Sequence, residues 1–150
     1  MQIYNLKDKI KYLDEVVELE HDEWGKNPKD DRHNRLQNKK EKILKHLNDK
    51  DFCKLILTSN DKLIGFISIF PHDSDKYSNL TPWYATMYVK KEYRGKGYSK
   101  ILNDAILKEA KMRGYKIIYL KTELNNYYEK FGAKFIENIT NNEKLLKFDL

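Results

Sequence analysis

The sequence predicts an α/β fold in which helices cover the faces of a mixed β-sheet. Three observations carry this expectation. Helix-period and strand-like segments run in the order two helices, three strands, helix, strand, helix, two strands, the pattern of a layered α/β sandwich. The length of 150 residues is that of one domain, 1–150, without linker composition or an internal repeat. Apolar residues make up 40% of the chain and aromatic residues 13%, enough for a core and too much for a disordered chain.

Each element has its own signal. Residues 8–24 read as a helix: Ile10, Leu13, Val17 and Trp24 recur at helical spacing, and Gly25 stops the run. Residues 31–47 read as a second, highly charged helix with a thin stripe of Leu36, Ile43 and Leu47. "GKNPKD" between them is a turn. "DFCKLILT" and "LIGFISIF" flank "SNDK" and read as a hairpin. "PHDSDKYSNLTP" is a polar loop bounded by prolines, and "WYATMYVK" is the next strand. "KEYRGKGYSK" is a glycine turn. The helix after it should bury Ile101, Leu102, Ala105 and Met112 and stop at Gly114. "YKIIYLKT" is almost unbroken apolar sequence, the signature of a central strand. "NNYYEKF" reads as a short helix ending at Gly132, and "AKFIEN" and "KLLKFDL" close the chain as strands around "TNNE".

Composition excludes several functions. The formal charge of +6 is modest, and the signs are mixed, as in "KDDRHNRLQNKKEK". A nucleic-acid binder would show a basic stripe with interleaved aromatics, so no nucleic-acid partner is expected. The single Cys53 lies in an apolar strand-like run and reads as a buried thiol. His21, His33, His46 and His72 lack metal-ligand spacing, so no metal is expected. The N-terminus has no apolar signal core, and the longest apolar stretch, 63–70, is too short to span a bilayer. The expectation is a soluble cytoplasmic protein, monomer or homodimer, with no membrane partner.

The chemistry concentrates at residues 91–100. The stretch lacks the P-loop pattern, and Lys100 stands where a dinucleotide fingerprint needs its third glycine. What remains is strand, Arg94-Gly95-Lys96-Gly97, helix. Glycines let backbone N–H groups approach an anion closely, and a helix N-terminus adds unpaired N–H groups. Arg94, Lys96 and Lys100 add positive charge. Physically this is a pyrophosphate cradle, or a plain strand-to-helix turn that needs glycine for its geometry.

"TPWYATMYVKKEYRGKGYSKIL" resembles motif A of the GCN5-related N-acetyltransferases (GNAT), through Val89, Tyr93, Arg94, Gly95, Gly97 and Tyr98. Ser99 departs from the usual Gly or Ala. "YYEKFGAKF" resembles a second family segment through Tyr128, Glu129, Lys130 and Gly132, with Ala133 in place of the usual aromatic residue. The resemblance implies a mostly antiparallel sheet of six to seven strands, about four helices, and a splay between strands 83–90 and 115–122. It implies an acetyl-CoA-dependent N-acetyltransferase acting on a primary amine. Acetyl-CoA would lie along Met87, Tyr88 and Val89, on Arg94, Gly95, Lys96, Gly97, Tyr98, Ser99 and Lys100, and against Asn125 and Tyr128. Tyr128 would be the general acid and the Met87 backbone the oxyanion contact.

Acyl transfer also needs a base. The candidates are Glu23 or Asp75, with Glu20, Asp73 and Glu123 as further carboxylates. The resemblance implies that the first two helices and the loop before the splayed strand wall the acceptor site; their acid-rich "ELEHDEWG" and "HDSD" suggest a small cationic amine held by Glu20, Glu23, Trp24, Asp73 and Trp83. The alternative is a non-catalytic acyl-CoA-binding or sensing module on the same fold.

Overall fold

The computed structural model describes residues 1–25 and 31–150, so the expected turn at 25–30 lies, beyond Gly25, outside the described residues. Seven strands form one sheet: β1 (Gln2–Asn5), β2 (Cys53–Ser59), β3 (Lys62–Phe70), β4 (Trp83–Val89), β5 (Ile117–Thr122), β6 (Lys134–Asn138) and β7 (Lys144–Asp149). Their order is β1-β2-β3-β4-β5-β7-β6. All neighbours are antiparallel except β4 and β5. Among the described residues three α-helices, α1 (Leu13–Trp24), α2 (Arg32–His46) and α3 (Tyr98–Met112), cover the sheet.

The two faces have separate cores. On one face Leu13, Val16 and Val17 of α1 and Ile43 of α2 pack on Ile56, Leu63 and Phe66. On the other, Leu102, Ile106 and Ala110 of α3 pack on Leu55, Ile67, Ile118 and Leu146. Strand alternation sorts these residues: within β2, Ile56 faces one core while Leu55 and Leu57 face the other.

Several boundaries differ from expectation. β1 gives only a weak sequence signal, because it is four residues long and its Ile3 and Tyr4 are only partly buried, against opposite cores. Residues 6–12 form two 3₁₀ turns rather than the start of the first helix. The Asn5 side chain caps Lys7 N–H at 3.1 Å, and Lys9, at φ −140°, interrupts a helical path. Ile10 and Trp24 of the expected stripe are exposed, at 46% and 44%. The buried side of α3 is Leu102, Asn103, Ile106 and Ala110; Ile101 and Met112 face outward. The expected fourth helix is a 3₁₀ turn at Glu129–Phe131, because Asn126 at φ +58° breaks the helical backbone before it. β5 lies inside the sheet between β4 and β7, yet it is buried on alternate residues only.

Candidate active-site cleft

β3 and β4 pair from Phe70↔Trp83 to Gly65↔Val89, and the register slips by one between Phe66 and Ser68. β4 therefore carries a bulge, and Thr86 sits there at φ +50°, rare for a β-branched residue. β4 and β5 share one register pair, Trp83↔Tyr119, reinforced by Tyr119 N–H donating to the Pro82 carbonyl at 3.0 Å. Beyond it the strands diverge, and the β5-facing edge of β4 has no ladder partner.

A cleft of about 490 Å³ fills this splay. Met87, Tyr88 and Val89 form one wall, and Arg94, Gly95, Gly97, Tyr98 and Ser99 form its end. Leu124, Tyr127 and Tyr128 face them, and Glu23 of α1 reaches the same space. Lys96, Lys100 and Asn125, also expected at the ligand, are not among the lining residues; Lys100 instead pairs with Asp104 at 2.7 Å. Tyr93, a motif residue in the sequence, also lines the cleft, and Leu124 and Tyr127 line it without a sequence signal. The 123–127 segment is irregular, so no periodicity marks which side chains turn inward.

Gly95 and Gly97 lie at φ +78° and +83°, which L-residues rarely adopt. A Cβ at either would meet nothing within 4 Å, so the cradle side is open. Gly97 is the N-cap of α3 without a side-chain cap, which leaves the first-turn N–H groups available to an anion. Arg94 Nε donates to the Val89 carbonyl at 2.8 Å, and its guanidinium lies 5.4 Å from the centre of the Tyr88 ring. The open glycine backbone, uncapped helix end and pinned cation fit a pyrophosphate.

Tyr128 stands edge-on to Tyr84 and Tyr127, at 5.6 and 4.8 Å between ring centres. The Phe131 and Ala133 N–H groups donate to its carbonyl and hold it at the head of the turn. Burial pushes its phenol up to about 12, with Tyr127 adding to the shift, so it carries its proton at neutral pH.

The expected acceptor residues do not all meet here. Glu20 is 4% exposed, on the α1–α2 face, where its Oε2 accepts from Lys54 Nζ at 2.7 Å. It is committed to this pair because Lys54 is fully buried and needs a counter-charge. Trp83 is also fully buried, its Nε1 donating to the Leu80 carbonyl at 2.8 Å, so its ring is not free to stack on a ligand. Trp24 is accessible and lies 6.3 Å from Tyr88, edge-on. Asp75 is exposed in the 71–80 loop, while Asp73 is half-buried there. Burial pushes the Asp73 carboxyl up to about 6, against the pull of Lys121 and with a smaller push from Glu143. Cys53 is buried, which raises its thiol to about 11 and leaves it unreactive.

A polar chain runs beneath the cleft wall. Lys54 Nζ also donates to Ser68 Oγ at 2.8 Å, and Ser68 Oγ lies 2.5 Å from Thr86 Oγ1 at the bulge. Burial pulls the Lys54 pKa down, and Glu20 pushes it back. The chain Glu20–Lys54–Ser68–Thr86 ties α1 to the residue preceding Met87.

Residues 13–133 match the Acetyltransferase (GNAT) family. The chain belongs to this family. The match covers most of this GNAT protein. It is 34% identical over 82 residues to N-alpha-acetyltransferase 30 of Schizosaccharomyces pombe (strain 972 / ATCC 24843), a match covering 51% of this chain and 54% of that one. The chain thus spans about half the length of that relative. An aminoglycoside 6'-N-acetyltransferase complexed with coenzyme A superposes with a TM-score of 0.74 at 17% identity, over 99% of this chain and 97% of the other. YncA, a putative acetyltransferase from Salmonella typhimurium with acetyl-CoA, gives 0.69 at 17% identity, over 100% and 94%. At these identities the likeness establishes the GNAT fold. No helix among the described residues is long and apolar enough to cross a membrane.

Proposed function

We propose that residues 1–150 act as one cytoplasmic N-acetyltransferase unit, monomeric or homodimeric, that acetylates a small primary amine, with cationic amines preferred. The observation that carries this reading is the β4–β5 splay, closed at one end by the Gly95–Gly97 cradle and faced by the protonated Tyr128. Bound acetyl-CoA supplies an activated acyl carbonyl and a thiolate leaving group.

The chain's residues divide the remaining work. The unpaired β4 edge, from Met87 to Val89, holds the ligand's extended arm as a further strand would. The Met87 N–H stabilises the carbonyl oxygen as the amine attacks and charge develops there. Tyr128 Oη donates to sulfur as the carbon–sulfur bond breaks. Glu23, which lines the cleft, takes the amine's proton through water, ahead of the exposed Asp75. With Glu20 and Trp83 committed elsewhere, a cationic acceptor is favoured by Glu23 in the cleft, by Trp24 beside Tyr88 and by Asp73 in the loop before β4.

A thiol-release assay with acetyl-CoA tests the reading against polyamines, aminoglycosides, neutral and acidic amines, lysine peptides and peptide N-termini. Thiol release with the small cationic amines is expected. Strong turnover of neutral or acidic amines without polyamines would overturn the cationic preference. The partial match to an N-alpha-acetyltransferase favours a second reading, a peptide's N-terminal amine as acceptor, which the peptide arm reads directly. Tight acetyl-CoA binding without turnover of any acceptor would favour the acyl-CoA-sensing module.

A further inference from the structure

A second cavity, of about 330 Å³, opens on the α1–α2 face, away from the cradle. Its apolar part is Ile43 with Phe52 and Phe70, whose rings stack at 5.6 Å and 8°. Such parallel rings beside an aliphatic side chain suit a flat or compact apolar body. Its charge is lopsided. Lys39, Lys42 and Lys54 line it against one carboxylate, Glu20. That carboxylate is already engaged, by Lys54 at 2.7 Å and by Lys39 at 3.6 Å. His46 and His72 complete the rim, and Asp49 is paired to His46 at 2.7 Å. A cation entering this space meets lysines and no unengaged carboxylate among the lining residues. A carboxylate meets two lysines at least partly open to solvent, with an apolar floor for the group that carries it.

We propose that this cavity binds a small organic carboxylate carried on an aromatic or compact apolar body, with Lys39 and Lys42 holding the acid. The ligand has two possible sources, the far end of an acceptor amine or a separate molecule. The site sits one polar step from the active-site wall, because Lys54 at its floor reaches the β4 bulge through Ser68. The binding claim stands apart from the proposed acetyl transfer; its acceptor-borne form rests on that transfer and would replace the cationic preference with an acceptor that carries an acid.

Benzoate is the probe, titrated by calorimetry and by the His46 and His72 imidazole resonances. Benzamide, its uncharged isostere, and the doubly substituted Lys39→Gln, Lys42→Gln protein are the controls. Saturable benzoate binding that shifts both histidines is expected, weaker by about tenfold for benzamide and for the variant. Equal binding of benzamide, an unaffected variant, or silent histidines would overturn the proposal. Turnover assays then separate the sources. If the variant raises KM about tenfold for amines bearing a free carboxylate, and leaves their amides unchanged, the acceptor carries the acid. If benzoate changes the rate with a neutral amine and the variant abolishes that change, the ligand is separate. Neither outcome, in a protein that turns over amines, overturns the link to catalysis but not acetyl transfer. Benzoate binding without any turnover keeps the site and removes the enzyme reading.

Discussion

At the level of single residues, Tyr128 offers the sharpest test. Its phenol titrates near 12. A cysteine-like thiol in water titrates near ~8.5, so full proton transfer to a free thiolate would run uphill by roughly 5 kcal/mol. In the proposed reaction the proton therefore passes late, as the carbon–sulfur bond opens. Tyr128→Phe keeps the ring packing on Tyr84 and Tyr127 and removes the donor. Turnover should fall by about 10²–10⁴ with little change in acetyl-CoA affinity. Turnover within about threefold of wild type, only ~0.65 kcal/mol in barrier, would reduce Tyr128 to a packing residue. Asp73 is tested through stability. Its folded-state pKa of about 6 lies above the unfolded value, so its contribution is most favourable below pH ~4 and is lost as pH rises through 6. Denaturant melts of wild type and Asp73→Asn across this range should diverge, the wild type losing stability relative to the variant as pH rises. Parallel profiles would place the carboxyl in water.

Two elements carry separable predictions. In the glycine turn, Gly97→Asp puts a carboxylate beside the proposed pyrophosphate position and a Cβ on a left-handed backbone. The acetyl-CoA dissociation constant should rise tenfold or more, about 1.4 kcal/mol, while the protein still folds. An unchanged constant would move the pyrophosphate elsewhere. This turn was legible because cradle chemistry is local: glycine positions, backbone φ and the helix start lie within a few residues. The α1–β2–β3 junction was not. Glu20 and Lys54 are 34 residues apart in sequence, and each alone reads as a surface charge. Lys54→Met strands the Glu20 carboxylate in the core and should cost about 3–5 kcal/mol in denaturant melts. Adding Glu20→Met removes the stranded charge and should recover most of that loss. A double variant as unstable as Lys54→Met would mean the pair contributes through more than charge compensation.

The molecule as a whole is a sheet with an internal gap, and a ligand filling that gap joins its two halves. β4 and β5 share one register pair, so acetyl-CoA bound along the β4 edge, as proposed, would add contacts where the ladder lacks them. At 100 times its dissociation constant, a ligand that binds only the folded state adds about 2.7 kcal/mol. For a chain of this size that corresponds to a rise in Tm of about 5–10 °C. Differential scanning fluorimetry should show it for wild type and, at the same concentration, at most about half of it for Gly97→Asp. The sequence by itself determined the α/β class, the strand–glycine turn–helix unit and the resemblance that pointed to Tyr128. These are properties of periodicity, backbone φ and residue chemistry over short spans. Only the tertiary structure decided the sheet order and the single β4–β5 contact that opens the cleft. It also decided the burial of Trp83, the withdrawal of Glu20 from the acceptor side and the lysine-lined cavity beneath α2. Burial and charge pairing depend on which distant strands and helices become neighbours, and no local pattern records that.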